Sequence, residues 1–145
     1  HLADAAERGA NVLVGGGRAD GFPTRLYYDF TIIDDVPEDS MVSKEESFGP
    51  VMPILRAADD EAAAGIANRT NLGLQAGVFT SSLSKAFWYA DRIRSGTVVI
   101  NDSTDFWETF QPFGGAAGTD TGWGRGSIEE FTDLQTMVID LGNVQ

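Results

Sequence analysis

Along the first hundred residues the apolar positions switch repeatedly between the period of a helix and that of a strand. Leu2, Ala5 and Ala6 share a face with Asp4 and Glu7 opposite, the spacing of closing helical turns over 2–8. Gly9-Ala10 ends that helix, and Asn11-Val12-Leu13-Val14 reads as a short strand running into three glycines. Gly15-Gly16-Gly17 is read as a flexible turn: a dinucleotide fingerprint would need its last glycine where Asp20 stands. Tyr27 to Ile33 is aromatic and β-branched, a strand, and the acidic stretch 34–39 after it is a solvated loop with no metal-ligand spacing.

The same alternation continues downstream. Val51 to Arg56 reads as a buried strand, and Asp59 or Asp60 as the cap of an alanine-rich helix over 61–68. Asn71-Leu72-Gly73 breaks it, and Leu74 to Thr80 is the next strand. Ser81 or Ser82 caps a helix reaching Arg94, whose stripe Leu83, Phe87, Ala90 and Ile93 is expected in the core. Ser95-Gly96 stops it before the apolar strand Thr97 to Ile100. Strand, helix, strand, helix, strand is the order of an α/β fold with a mostly parallel sheet and crossover helices.

One stretch fits none of these periods. Glu45-Glu46-Ser47-Phe48-Gly49-Pro50-Val51-Met52-Pro53 cannot be helix across Gly-Pro and a second proline, and it does not alternate. It suits a rigid loop feeding a strand, with Glu46 pointing into a cleft and Phe48 beside it; a plain charged turn is the competing reading. From Asn101 to Trp123 the chain is rich in glycine and aromatics, including Phe106, Trp107, Phe110 and Phe113. Such a loop lines a pocket or interface, or else seals the core. Glu129 to Thr132 reads as a helical remnant, and Leu134 to Leu141 as a terminal strand too apolar to stand alone in water.

Composition narrows the chemistry. The 145 residues suffice for one modest core, and the net charge of −12 repels phosphate backbones and anionic lipid. No nucleic acid or membrane partner is expected, and no run is long and apolar enough to span a bilayer. With no cysteine there is no disulfide, thiolate metal site or cysteine nucleophile in these residues. His1-Leu2-Ala3-Asp4 is no signal peptide and lacks an initiator Met, so a cytoplasmic piece of something longer is expected. On that ground the sequons Asn68-Arg69-Thr70 and Asn101-Asp102-Ser103 are set aside.

Several of these stretches, taken in order, resemble the C-terminal third of the aldehyde dehydrogenase superfamily. They are Glu45 to Val51; Asn71-Leu72-Gly73-Leu74 with Val78-Phe79-Thr80; Ser95 to Asn101; Pro112-Phe113-Gly114-Gly115; Gly122-Trp123-Gly124-Arg125; and Glu130-Phe131-Thr132. The resemblance implies that residues 1–132 end the catalytic domain and that 133–145 form an oligomerisation arm, whose strand Leu134 to Leu141 pairs in a homo-oligomer. It implies that Glu46 accepts hydrogen bonds from the nicotinamide ribose of NAD or NADP, that Phe48 packs by the nicotinamide, and that Gly49-Pro50 fix their loop. Asn101 would support the site, while Phe106, Trp107 and Phe113 would line the aldehyde tunnel. In the family a cysteine thiolate attacks the aldehyde, hydride passes to NAD(P), and a glutamate-activated water releases the acid. Neither of those catalytic residues is matched here, and no metal is implied.

The pattern departs from the family twice. Ala116-Ala117 stand where a lysine usually follows Pro-Phe-Gly-Gly, and the step from Arg125 to Glu129 is shorter than usual. The resemblance therefore implies a catalytically inert C-terminal fragment of an NAD(P)-dependent aldehyde dehydrogenase. A stand-alone assembly module or pseudoenzyme of that family is the alternative; a separate nucleotide-binding domain is disfavoured because no phosphate loop is present.

Overall fold

The computed structural model describes residues 1–105, 108, 111–116 and 131–139. The chain opens with α1 (Leu2–Glu7), β1 (Asn11–Val14) and β2 (Thr31–Asp34), followed by α2 (Met41–Lys44) and β3 (Val51–Pro53). Then come α3 (Asp60–Ala67), β4 (Gln75–Val78), α4 (Leu83–Arg92) and β5 (Thr97–Ile100). The α/β alternation expected from the periodicity is present, distributed over two sheets. One is three-stranded in the order β1-β2-β3, with β1 antiparallel and β3 parallel to β2. The other is the parallel pair β4-β5, with Gln75 opposite Thr97 and Val78 opposite Ile100, joined through α4.

Local chemistry sets the boundaries. Asp59 accepts the Ala62 amide at 2.8 Å to cap α3, and Ser82 accepts that of Lys85 at 3.3 Å to cap α4. The glycine turn after β1 is shaped, not merely loose. Gly15 and Gly16 have φ of 68° and 101°, and a Cβ on Gly15 would lie 2.4 Å from the Phe30 carbonyl.

Several expectations need correction. The strand expected over 27–33 is confined to Thr31–Asp34, with Tyr28 making only an isolated bridge to Arg18 and Phe22 stacking on Tyr27. The strand expected over 51–56 is confined to Val51–Pro53, although the Ile54 amide still donates to the Ile33 carbonyl at 2.8 Å, and Met52 is exposed rather than buried. On α4, Leu83 and Phe87 are 73% and 64% exposed, so the apolar stripe is not core in this chain. The inward contacts of α4 come instead from buried Ala86 and from Tyr89, whose hydroxyl donates to Asp60 at 2.8 Å. Residues 132–139 lie in neither helix nor strand, with Leu134, Met137, Val138 and Ile139 exposed. Among the described residues no strand is paired with this apolar segment. The remainder of that expected strand, Asp140 and Leu141, lies outside the described residues.

The main core is small: Ala5, Ala10, Ile33, Val36 and Val42, with Leu2, Val51 and Leu55 packed against it. Asp4 links this core's two helices, accepting the Met41 amide at the start of α2 (2.7 Å) and the Arg8 guanidinium (2.8 Å). The Arg8 bond, then the Met41 bond, hold the Asp4 carboxyl below its ordinary value of 3.8. Arg56 does the same for Asp34, and Lys85, then Tyr89, for Asp60. A carboxylate whose folded pKa is depressed contributes stability above its unfolded value and loses it as pH falls through the folded one. The melting temperature should therefore hold from pH 7 to 5 and fall below about pH 4. Asp4→Asn should make that acid decline shallower, read by circular-dichroism melts at pH 6 and pH 3; an identical decline removes Asp4 from the acid response.

Candidate functional site

The loop between α2 and β3 is held from both sides. The Glu45 amide donates to the Met41 carbonyl at 2.8 Å, closing α2, and the Thr31 amide of β2 donates to the Pro50 carbonyl at 2.8 Å. Between them the Gly49 amide bonds the Ser47 carbonyl, and the Val51 amide that of Gly49, as successive tight turns that Gly-Pro accommodates. The His1 ring meets the Ser47 hydroxyl through Nδ1 and lies 3.4 Å from the Glu45 carboxylate through Nε2. The loop is thus bonded at both ends and through its turns.

Side chains alternate across this loop, and they part company. Glu46 lines a cavity of about 360 Å³ with Ala67, Thr70, Leu72, Gly73, Leu74, Gln75, Ala76, Ile93, Arg94 and Ser95. Phe48 is 95% exposed and borders a more open cavity of about 540 Å³ with Leu26, Tyr28, Gly49 and Pro50. The structure therefore does not bring Glu46 and Phe48 to one cleft, contrary to expectation; nothing in the described chain covers the Phe48 ring. Among the described residues the Glu46 carboxylate accepts no hydrogen bond. A carboxylate offering two free oxygens at the mouth of a largely apolar cavity is equipped to take a pair of adjacent hydroxyls.

The far end of the parallel pair is fixed by asparagine. Asn101 has φ of 59°, a conformation asparagine tolerates, and its side-chain amide brackets the backbone of one residue. Its Oδ1 accepts the Thr80 N–H at 2.7 Å and its Nδ2 donates to the Thr80 carbonyl at 2.8 Å, so the ends of β4 and β5 are tied together.

The opposite end is fixed by glycine. The Gly73 carbonyl accepts the amides of both Gly96 and Ala116, each at 2.9 Å, drawing residues 112–116 against the starts of β4 and β5. That contact leaves no room for side chains: a Cβ on Gly96 would lie 1.5 Å from the Gly114 carbonyl, and one on Gly73 2.6 Å from that of Arg94. Phe113 is half-buried in this segment and borders neither cavity. Phe106 and Trp107, the other expected substrate residues, lie outside the described residues, as do Phe110, the run Gly122 to Arg125 and the start of the expected helix at Glu129. Gly73 and Gly96 stand out in the sequence as element breakers and as parts of family motifs; the close backbone approach that needs them is made to Arg94 and Gly114, which lie far from them along the chain.

These features define a class: an α/β unit whose strand-end loops carry a free carboxylate and an aromatic loop knitted to a parallel pair. The chain belongs to the aldehyde dehydrogenase family, whose profile matches residues 1–137. It is 35% identical over 140 residues to the lactaldehyde dehydrogenase of Methanococcus vannielii, covering 95% of this chain and 29% of that protein. Among solved structures, an aldehyde dehydrogenase of Mycobacterium tuberculosis complexed with NAD+ is similar at 30% identity and a TM-score of 0.84, over 99% of this chain and 30% of that one. The glyceraldehyde-3-phosphate dehydrogenase GapN of Methanocaldococcus jannaschii, complexed with NADP, is similar at 34% identity and a TM-score of 0.71, over 81% and 25%. The chain thus spans less than a third of the length of such relatives.

Gly96→Ala should destabilise the fold by about 1–3 kcal/mol through overpacking against Gly114. Urea melts measure it, and a midpoint equal to that of the parent chain would show that residues 112–116 do not rest on Gly96.

Proposed function

We propose that this chain is the C-terminal part of an NAD(P)-dependent aldehyde dehydrogenase that oxidises an aldehyde to a carboxylic acid. In this reading residues 1–132 close the catalytic domain and residues 133–145 are an arm that docks on another subunit of a homo-oligomer. The observation that carries the proposal is the Glu46 carboxylate, held on a rigid loop, free of protein partners among the described residues, beside a cavity of about 360 Å³. The donor set fits the ribose of a nicotinamide cofactor: two carboxylate oxygens for two vicinal hydroxyls, and apolar walls from Leu72, Leu74 and Ile93. NAD(P)+ supplies the hydride acceptor when bound; relatives with solved structures hold NAD+ or NADP.

This chain's own residues bind and orient. Glu46 fixes the ribose, and Phe48 packs by the nicotinamide once the remainder of the enzyme covers its exposed face; positioning of this kind carries much of a transfer rate. Gly49 and Pro50 hold the loop, Asn101 ties the far ends of β4 and β5 together, and Phe106, Trp107 and Phe113 line the aldehyde path. The attacking cysteine and the general-base glutamate come from outside these residues. Large exposed apolar side chains, among them Phe79, Leu83, Phe87 and the run Leu134 to Ile139, support the fragment reading, because surface of that extent is covered in a complete molecule. The exposed terminal run equally suits an assembly module, and activity separates the two.

The isolated chain should form no NAD(P)H from any aldehyde at 340 nm; turnover would refute the division of the site. In the complete enzyme Glu46→Gln should weaken NAD(P)+ binding about tenfold, roughly one charge-assisted hydrogen bond. An unaltered Kd for the cofactor takes Glu46 out of its site.

A further inference from the structure

Asn68 is the C-terminal cap residue of α3, and its own side chain does a second task on a different element. Nδ2 donates to the Arg92 carbonyl at 2.7 Å, and Oδ1 accepts the Arg94 amide at 2.7 Å. Those two groups flank Ile93, where the backbone leaves α4 for an extended conformation (φ −74°, ψ 122°) without a glycine. A helix that ends so abruptly leaves carbonyls and the next amide without helical partners. Here one amide side chain satisfies one of each, as a neighbouring peptide would. The residues it fixes, Ile93, Arg94 and Ser95, are one wall of the cavity that contains Glu46. The Ser95 hydroxyl in that wall is buried with no hydrogen-bond partner among the described residues. The Arg94 carbonyl is the atom against which Gly73 is packed.

We infer that Asn68 is a positioning residue: its amide sets the Arg94–Ser95 wall at the distance from Glu46 that the cofactor requires. The side chain reaches the cavity only through that wall and touches no ligand itself. Because the amide nitrogen is committed to the Arg92 carbonyl, the Asn68-Arg69-Thr70 sequon serves packing and not a glycan. The inference rests on the cofactor reading of the Glu46 cavity, and its test keeps the two apart.

Three variants serve in the complete enzyme. Asn68→Asp keeps the shape and the acceptor for Arg94 but puts an oxygen against the Arg92 carbonyl; Asn68→Ala removes both bonds; Asn68→Gln moves the amide outward by one methylene. Backbone hydrogen exchange at Arg94 and Ser95 should quicken in Asn68→Asp, whatever the cavity binds. The cofactor Kd should rise about tenfold in Asn68→Asp and Asn68→Gln, a perturbation of hydrogen-bond size, with the aldehyde KM changed less than about twofold. The double variant with Glu46→Gln should be less than additive, since both act on one site. A cofactor Kd unchanged in Asn68→Asp while Glu46→Gln weakens it overturns the inference alone. Glu46→Gln without effect, alongside faster exchange at Arg94, overturns the cofactor reading and leaves the bracket standing. Parallel rises in the cofactor Kd and the aldehyde KM that track melting temperature reduce Asn68 to a structural role and overturn the inference.

Discussion

The Gly73 carbonyl is the point at which the functional half of the chain is joined. A carbonyl oxygen has two lone pairs, and here each is used by a different segment: the Gly96 amide that starts β5, and the Ala116 amide of the aromatic loop. Parallel strands cannot be closed by a tight turn, so the starts of β4 and β5 must be brought together by something other than their connection. One acceptor does this and captures the 112–116 segment as well. The arrangement needs backbones at contact distance, which is why glycine stands at 73 and 96. The cavity wall formed by Leu72, Gly73 and Leu74 is built on the same point.

Elsewhere along the crossover the work is done by side-chain amides that imitate peptides. Asn101 binds both polar groups of Thr80, and Asn68 binds a carbonyl and an amide two residues apart at the end of α4. Each satisfies backbone groups that a helix end or a strand end would otherwise leave open. The β4–α4–β5 crossover is therefore pinned at both of its extremities, and the loops that rise from it inherit that rigidity.

Element order and most element types were legible in the sequence, because amphipathic period and capping residues are local signals. Asp59 and Ser82 cap where their chemistry predicts. What could not be read is non-local. The exposure of Leu83 and Phe87 depends on what covers α4, and a periodic stripe records only that something should. Glu46 and Phe48 are two residues apart on a tightly turned loop, and that geometry sends them to separate cavities. The Asn68 bracket was hidden for a different reason: asparagine before X-Thr is first seen as a sequon, and nothing local tells that its amide is already engaged, whereas the family resemblance marked Asn101 as a support of the site. Family membership came from ordered motifs, which needed none of these contacts.

The glycine contacts have a genetic consequence. Every single-nucleotide change of a glycine codon that alters the residue introduces a Cβ, and at Gly96 that atom falls on the Gly114 carbonyl. Most positions in a protein offer at least one mild replacement within a single base change. This one offers none, so a library made by point mutation has no conservative step available at the seam between strand and aromatic loop. Variation that alters the loop has to arise on its own side, at residues whose side chains already exist and point elsewhere.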